Sequence, residues 1–201
     1  MHKKILTTTI AGIALLLSAG PSLAHHPMGG ATPSNFMDGL LSGIGHPLIG
    51  FDHLAFIIVA GLLIASMRLP VATGLAFVAG SSLGVLLCVG GAPVPMAETG
   101  VASSVLLAGA LLASGSPISG LALGVGFALF GVFHGYAFGE TVVGAERTPI
   151  AAYLLGLALI QFGIIYTVML VLRLLGDVSS RPLARGAGVL ASLAGVVFLA
   201  T

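Results

Sequence analysis

Six long apolar stretches occupy most of the chain, and each is close to the about 20 residues that a membrane-spanning helix needs. Glycine and proline separate them, as at Arg68-Leu69-Pro70. Residues 25–45, ahead of the first stretch, are polar and rich in glycine. We therefore expect an all-α fold, a polytopic membrane bundle of about six transmembrane helices. The predicted spans lie near 46–67, 71–90, 98–114, 117–138, 150–175 and 184–200.

Residues 1–24 have the three parts of a secretory signal peptide. Two lysines begin it, an apolar run over residues 10–17 follows, and Ser22-Leu23-Ala24 places small residues before a cleavage site. The apolar run is short for a bilayer span, which favours cleavage over anchoring. We expect residues 25–201 to form one six-span transporter domain whose new N-terminus, His25-His26, could collect metal weakly.

The composition supports a membrane environment. Hydrophobic residues make up 57% of the chain and charged residues 6%, whereas a soluble domain carries about 25% charged residues. Such a chain cannot cover a globule with solvated groups, so the lipid bilayer must be part of its surroundings. The net charge of +1 gives no indication of a nucleic-acid partner. Cys88 is the only cysteine, which excludes an intrachain disulfide.

The arginines predict the orientation. If the mature N-terminus is outside, Arg68, Arg173, Arg181 and Arg185 fall on cytoplasmic loops or helix ends, and only Arg147 falls outside. This distribution follows the positive-inside rule and agrees with a signal peptide. We expect a multi-pass protein of the bacterial inner membrane, with both mature termini in the periplasm.

The first candidate site is the segment from His46 to His53 at the start of the first span. Pro47 suits the first position of a helix, which would place His46 at the cap and His53 about two turns deeper. Seven residues of α-helix would bring both histidines nearly onto one face. Asp52 would project about 100° from His53, where it could ligate a metal or orient an imidazole of a neighbouring helix.

Further candidates are predicted at the same depth on two other spans. His134 lies near the outer end of the fourth span, followed by Glu140, and Glu98 opens the third span from outside. Imidazole and carboxylate groups suit nickel, cobalt or zinc. The candidate metal ligands are therefore His46, Asp52, His53, His134, Glu98 and Glu140.

Each of these residues also has a structural interpretation. A single membrane histidine such as His134 is commonly a hydrogen bond between helices. Glu98 is also typical of an interfacial residue near a helix N-terminus, and Glu140 of a solvated outer loop. Gln161 and Tyr166, in the fifth span, are expected to make packing hydrogen bonds.

In these two motifs the chain resembles the HupE/UreJ family of nickel permeases. The family's first-span motif, H-P-x-x-G-x-D-H, is matched completely by residues 46–53. The later motif, H-G-x-A-H-G-x-E, is matched at His134 and at its glycines and alanine. Phe138 stands where the family has its second histidine, and Glu140 comes one position early. The resemblance implies a cleaved signal peptide, about six spans and a nickel cargo, or cobalt as in some relatives.

The leading hypothesis is uptake of Ni²⁺, with Co²⁺ second, through a site of histidine and aspartate in the outer half of the membrane. The metal would be cargo, so no prosthetic group is expected, and the enzyme system that uses it is not indicated by the sequence. Two alternatives remain: a zinc-dependent intramembrane hydrolase, and a metal sensor or accessory membrane protein that does not transport. The hydrolase lacks a helical H-E-x-x-H signature.

The predicted orientation can be tested with topology reporters. A reporter fused after Ser180 is expected in the cytoplasm, because this residue lies among the arginines that the positive-inside rule retains there. A reporter fused after Thr201 is expected in the periplasm. A cytoplasmic signal from the second fusion would contradict the six-span topology.

Overall fold

The structure, a computed structural model, describes residues 31–200, apart from the side chains of residues 177–180. The predicted signal peptide, His25 and His26 lie outside the described residues. Within residues 31–200 the chain is helical, without strands, which confirms the predicted all-α bundle. Its elements are α1 (Phe36–Ile49), α2 (Phe51–Ser66), α3 (Thr73–Val89), α4 (Ala97–Ser114), α5 (Gly120–Gly139), a 3-10 helix (Glu140–Val142), α6 (Arg147–Leu174) and α7 (Gly176–Ala200).

The length and composition of the helices identify a polytopic membrane protein. Four segments are long and apolar enough to cross a membrane alone. Helices α1 and α2 meet the same criterion only as a pair, which is bent by 81° at the break between them. Helix α3 has 17 residues, about 25 Å, and is apolar but short. Each of the six predicted stretches therefore corresponds to one helix or, in the first case, to a bent pair. The four segments long enough to cross alone are Ala97–Ser114, Gly120–Val142, Arg147–Leu174 and Arg181–Ala200.

The predicted start of the first span was wrong. Helix α1 begins at Phe36, inside the segment predicted as a polar lead-in. Asn35 caps it, since its side-chain oxygen accepts a hydrogen bond from the backbone N–H of Asp38 at 3.0 Å. The Asn35 amide in turn donates to the Asp38 carboxylate at 2.8 Å, so the two residues satisfy polar groups at the helix start reciprocally. Pro47 consequently lies near the end of α1 and not at a first helical position.

The predicted last span, near 184–200, agrees with the apolar segment Arg181–Ala200, but its helix begins earlier. Helix α7 begins at Gly176 and continues through Pro182, where the sequence predicted a break between spans. Pro182 is the seventh residue of this helix, and because it has no N–H it removes one backbone hydrogen bond without ending the helix. The helix can therefore extend before the apolar segment that starts at Arg181.

Helices α3 and α5 pack with their backbones in contact at glycines. A Cβ atom on Gly80 would overlap the carbonyl oxygen of Ala128, and a Cβ atom on Gly135 would overlap that of Ser81. Glycine is thus the residue that permits this spacing, as at many membrane helix interfaces. Along this contact the residue numbers of both helices increase in the same direction, so α3 and α5 run parallel to each other.

The same kind of contact joins the other helices in pairs. Helix α1 packs on the first half of α6, where Gly39 meets Pro149, and α2 follows along the second half, where Gly61 meets Ile165. Gly43 of α1 lies against Tyr153, so α1 runs in the same direction as α6, and α2 is bent by 81° from α1. Helices α4 and α7 run antiparallel, since Leu106 lies against Gly195 while Ala113 lies against Gly188. These directions are the ones that six successive crossings of a membrane would produce.

Two hydrophobic clusters fill the bundle. The small cluster lies where α5 ends and α6 begins, and the large cluster lies around α2 with contributions from α3 to α7. The large cluster includes Phe56, Phe77 and Ile165. The small cluster consists of the buried residues Val85, Phe138, Val142, Tyr153 and Leu157.

The glycine contacts predict unequal effects of alanine along one helix. In α5, a Cβ atom on Gly131 would lie 2.5 Å from the carbonyl oxygen of Phe77, whereas a Cβ atom on Gly124 would meet nothing within 4 Å. Gly131→Ala is expected to lower the free energy of unfolding by about 1–3 kcal/mol, because the helices must separate.

Gly124→Ala is the matched control, and it should leave stability unchanged or raise it, since alanine favours helix over glycine. Thermal unfolding of both variants in one detergent measures the difference. Equal melting temperatures would contradict the close contact between α3 and α5.

Candidate metal centre

Three predicted site residues meet in the interior of the bundle. His46 is in the last turn of α1, His53 in the first turn of α2, and His134 in α5. Their exposed fractions are 2%, 3% and 0%. The ring centroids of His46 and His53 are 6.3 Å apart, and those of His53 and His134 are 4.8 Å apart. The structure thus brings three imidazoles from three helices into one cluster.

A break at Gly50, and not a shared helix face, brings His46 next to His53. Gly50 has extended backbone angles, φ −82° and ψ 100°, and separates α1 from α2. A Cβ atom on this residue would lie 2.7 Å from Cδ2 of His53, so a larger residue would displace the imidazole. The prediction of one continuous helix through both histidines was therefore wrong. Their proximity comes from the 81° bend.

The hydrogen bonds of His134 define its protonation and that of His53. Ser104 donates its hydroxyl proton to the carbonyl oxygen of Val101 at 2.6 Å. The same oxygen, 2.7 Å from Nε2 of His134, must then accept from that nitrogen. Nδ1 of His134 is consequently the acceptor in its 2.7 Å contact with Nδ1 of His53. In this assignment of protons, His53 carries its proton on Nδ1 and its Nε2 is the unprotonated ring nitrogen.

The same logic applies to His46. Tyr153 donates its hydroxyl proton to the carbonyl oxygen of Phe138 at 2.8 Å. Its oxygen lies 2.8 Å from Nδ1 of His46 and so accepts from this nitrogen. Thr141 Oγ1 lies 3.1 Å from the same nitrogen and shares its proton. Nε2 of His46 is then the unprotonated nitrogen, so two of the three imidazoles have the tautomer in which Nε2 can bind a metal.

Asp52 lies beside the unprotonated nitrogen of His53. Its Oδ1 accepts a hydrogen bond from the backbone N–H of His53 at 2.8 Å and lies 3.9 Å from Nε2 of the same residue. The Asp52 side chain is 26% exposed, in contrast to the buried imidazole. An imidazole nitrogen and a carboxylate oxygen, both ligands that suit divalent transition metals, thus lie close together at the break between α1 and α2.

The two glutamates that were predicted as ligands are exposed. Glu98 lies in the first turn of α4, and Glu140 begins the 3-10 helix after α5. Among residues 31–200, no three side chains of histidine, cysteine, aspartate or glutamate are arranged together to hold an ion. The described arrangement thus offers the pair His53 and Asp52 with His46 nearby, and not a closed metal site.

The aromatic residue Phe138 stands at the centre of the cluster. Its ring centroid is 4.1 Å from that of His53 and 4.9 Å from that of His46. The ring of His134 packs on Phe56, with centroids 4.7 Å apart. Because Phe138 belongs to the small cluster and Phe56 to the large cluster, the histidines lie between the two hydrophobic clusters.

Comparison with known proteins identifies the family. The model of the "HupE / UreJ protein" family matches residues 13–198, nearly the whole chain. The chain belongs to the HupE/UreJ family. It is similar to the Protein HupE of Rhizobium leguminosarum bv. viciae, with 30% identity over 140 residues, which span 67% of this chain and 66% of that relative, just under two thirds of its length. No solved structure matches the chain.

Sequence reasoning missed the hydroxyl groups that support the HupE/UreJ motif histidines. Ser104, Thr141 and Tyr153 are distant in sequence from His46 and His134, and each is common in membrane helices for other reasons. The available signal was their predicted depth, since all three are expected in the outer half with the histidines. Tyr166 makes no comparable contact to the cluster: its side chain is 45% exposed and it stacks with Phe162.

The support of His134 can be tested without metal. Ser104→Ala removes the acceptor of the Nε2 proton in a fully buried place, so the free energy of unfolding should fall by about 1–3 kcal/mol. Ser103→Ala, one residue earlier and only half-buried, is the matched control and should change it by less than about 0.5 kcal/mol. Chemical unfolding of the purified variants measures both. Equal stability of the two variants would argue against the assigned hydrogen bond.

Proposed function

We propose that this protein is an inner-membrane permease that carries a divalent transition metal, Ni²⁺ first and Co²⁺ second, from the periplasm into the cell. The observation that supports this most directly is that Nε2 of His53 lies 3.9 Å from Oδ1 of Asp52 inside a membrane bundle, with His46 and His134 beside them. In this proposal the metal is the transported substrate, no prosthetic group takes part, and both mature termini lie in the periplasm.

The distance between these two groups suits one ion. First-row metals such as zinc bind imidazole nitrogen at about 2.0–2.1 Å and carboxylate oxygen at about 2.0–2.2 Å. Nε2 of His53 and Oδ1 of Asp52, 3.9 Å apart, can therefore contact the same ion. Nitrogen and oxygen ligands suit nickel, cobalt and zinc, and the absence of a thiolate from the candidate ligands disfavours copper(I).

The other site residues take different roles in this proposal. His46, with an unprotonated Nε2 and a ring 6.3 Å from that of His53, is the third ligand once the ion draws it closer. His134 positions His53 by accepting its Nδ1 proton, the role that an outer hydrogen-bond partner has at many metal-bound histidines. Glu98 and Glu140 are exposed, and we place them on the approach of the hydrated ion.

An incomplete ligand set is what transport requires. A closed shell of four protein ligands is typical of structural metal sites, which hold their ion. Here two side-chain ligands face each other, Phe138 occupies the position of the family's second motif histidine, and water would complete the coordination. Such a site binds with moderate strength and can release its ion inward.

Initial rates of metal uptake test the proposal. His53→Ala is expected to abolish uptake of Ni²⁺ and Co²⁺, because it removes the central ligand. Asp52→Asn should reduce uptake at least about tenfold, since the amide keeps the shape of the side chain but loses its charge. His25→Ala should have much less effect, as this residue is at most a collecting site.

The matched control is Glu146→Gln, which removes an exposed carboxylate at the start of α6 that makes no capping hydrogen bond. It should leave uptake unchanged at equal expression. Rates of uptake like those of the unaltered protein in His53→Ala would remove the transport site from the α1–α2 break and overturn the proposed function.

A further inference from the structure

A second buried polar group lies between α3 and α6. Gln161 and Ser81 are both 0% exposed, and the Gln161 amide donates from Nε2 to Ser81 Oγ at 2.9 Å. This is the packing hydrogen bond predicted for Gln161. Packing does not explain the carbonyl oxygen of the same amide. Among the described residues, Gln161 Oε1 has no hydrogen-bond partner. A buried carbonyl oxygen without a partner is costly in a membrane bundle and is typical of a place where water or an ion binds.

The depth of Gln161 follows from two contacts between helices. Tyr153 of α6 bonds to Phe138 of α5, and Gln161 of α6 bonds to Ser81, which lies against Gly135 and Gly131 of α5. The two helices therefore run in opposite directions.

Gln161 is eight residues beyond Tyr153, about 12 Å along α6. His134 is four residues before Phe138, about 6 Å along α5. Because Ser81 lies against Gly135 and Gly131, the Gln161–Ser81 pair lies between the level of His134 and a level one helical turn further from Phe138, whose ring packs on His53.

The other unpartnered buried oxygen lies at a different depth, on α1. Within residues 31–200, the buried side-chain atoms without a hydrogen bond are Gln161 Oε1 and Ser42 Oγ. Ser42 is 1% exposed and is one helical turn before His46 on the same face of α1, which runs parallel to α6. The two oxygens therefore lie at different depths along the direction in which the proposed permease would move its ion: Ser42 lies one turn before His46, and Gln161 lies at the level of His134 or beyond it.

We propose that Gln161 and Ser81 form an inner cation position, to which the metal ion passes from His53 and Asp52 on its way into the cell. This inference rests on the proposed function. Gln161 Oε1 and Ser81 Oγ are neutral oxygen ligands, which hold nickel and cobalt more weakly than imidazole does, so the ion would keep several of its waters there. A weak position immediately inside a stronger one lowers the barrier to inward release without trapping the ion.

The position also explains how the ion would meet the large hydrophobic cluster. Beyond Gln161, α6 contributes Ile165, Met169 and Leu172 to that cluster, and each is buried. An ion leaving the histidines would otherwise face these apolar side chains with no oxygen other than its own waters. Gln161 is in this proposal the last described polar ligand before the apolar segment opens.

The test separates equilibrium binding from transport, with Ni²⁺ and Co²⁺ ions as probes. Gln161→Leu should lower initial uptake at least tenfold, while the Kd for Co²⁺ measured on purified protein stays within twofold of its original value. Ser81→Ala should lower uptake less, because one oxygen ligand remains. Ser82→Ala, in which the lost hydroxyl bonded to Val78 of its own helix at 3.0 Å, is the matched control and should change neither quantity.

Gln161→Glu, which keeps the shape of the side chain, provides a second measurement that does not depend on tolerance of leucine. The carboxylate should hold a second equivalent of Co²⁺, seen by titration, and should slow uptake. Full uptake by Gln161→Leu, or one equivalent of Co²⁺ with unchanged uptake in Gln161→Glu, would overturn the inner position. Loss of equilibrium binding in Gln161→Leu would also overturn it, because the residue would then act on the histidine site. Only His53→Ala decides the proposed function, so the two failures are distinguishable.

Discussion

Close contact of helix backbones at glycines is the constraint on which the rest of this structure depends. Where Gly135 lies on the backbone of Ser81, and Gly43 on that of Tyr153, no side chain separates the helices. Such contacts fix the depth of each helix relative to its partner, because a shift of one residue would place a Cβ atom in the neighbouring backbone. In lipid, where apolar side chains gain little by leaving the solvent, this packing is a principal source of specificity.

The glycine contacts set the geometry of the histidine cluster. With α5 fixed on α3 and α1 fixed on α6, His134 reaches His53, and Tyr153 reaches both His46 and the end of α5. The hydroxyls of Ser104 and Tyr153 donate their protons to backbone carbonyl oxygens. In this arrangement the same hydroxyl oxygens accept hydrogen bonds from the imidazoles. The packing of the helices thereby holds the imidazoles of the proposed metal ligands in fixed orientations, as hydrogen-bond partners do at many metal-bound histidines.

The position of the cluster between two hydrophobic regions has a consequence for transport. The small cluster around Phe138 and Tyr153 closes one side, and the large cluster around α2 closes the other. The small cluster has five buried residues and the large cluster many more, so under the proposed function the ion would pass few residues to reach the histidines and many to leave them. A partly exposed Asp52 on the side of the small cluster and a buried Gln161 on the side of the large cluster fit this asymmetry.

The sequence by itself determined the all-α class, the number and approximate limits of the apolar segments, the family and the identity of the motif histidines. These features are local. Apolar runs, the glycine and proline residues that separate them, and short motifs can be recognised without knowledge of contacts between distant residues. The start of α1 also has a local signal in the sequence, the Asn35 cap with Asp38. The apolar pattern did not reveal this start, because the capped turn precedes the long hydrophobic run.

Only the tertiary structure decided how the motif works. The break at Gly50 places His46 and His53 together by a bend of 81°, which helical periodicity cannot represent. The acceptors Ser104, Thr141 and Tyr153, and the unpartnered oxygen of Gln161, became visible only when five helices were packed at fixed depths. The physical reason is that hydrogen bonding inside a membrane bundle depends on which groups share a depth and a facing direction, and both are set by contacts between helices far apart in the chain.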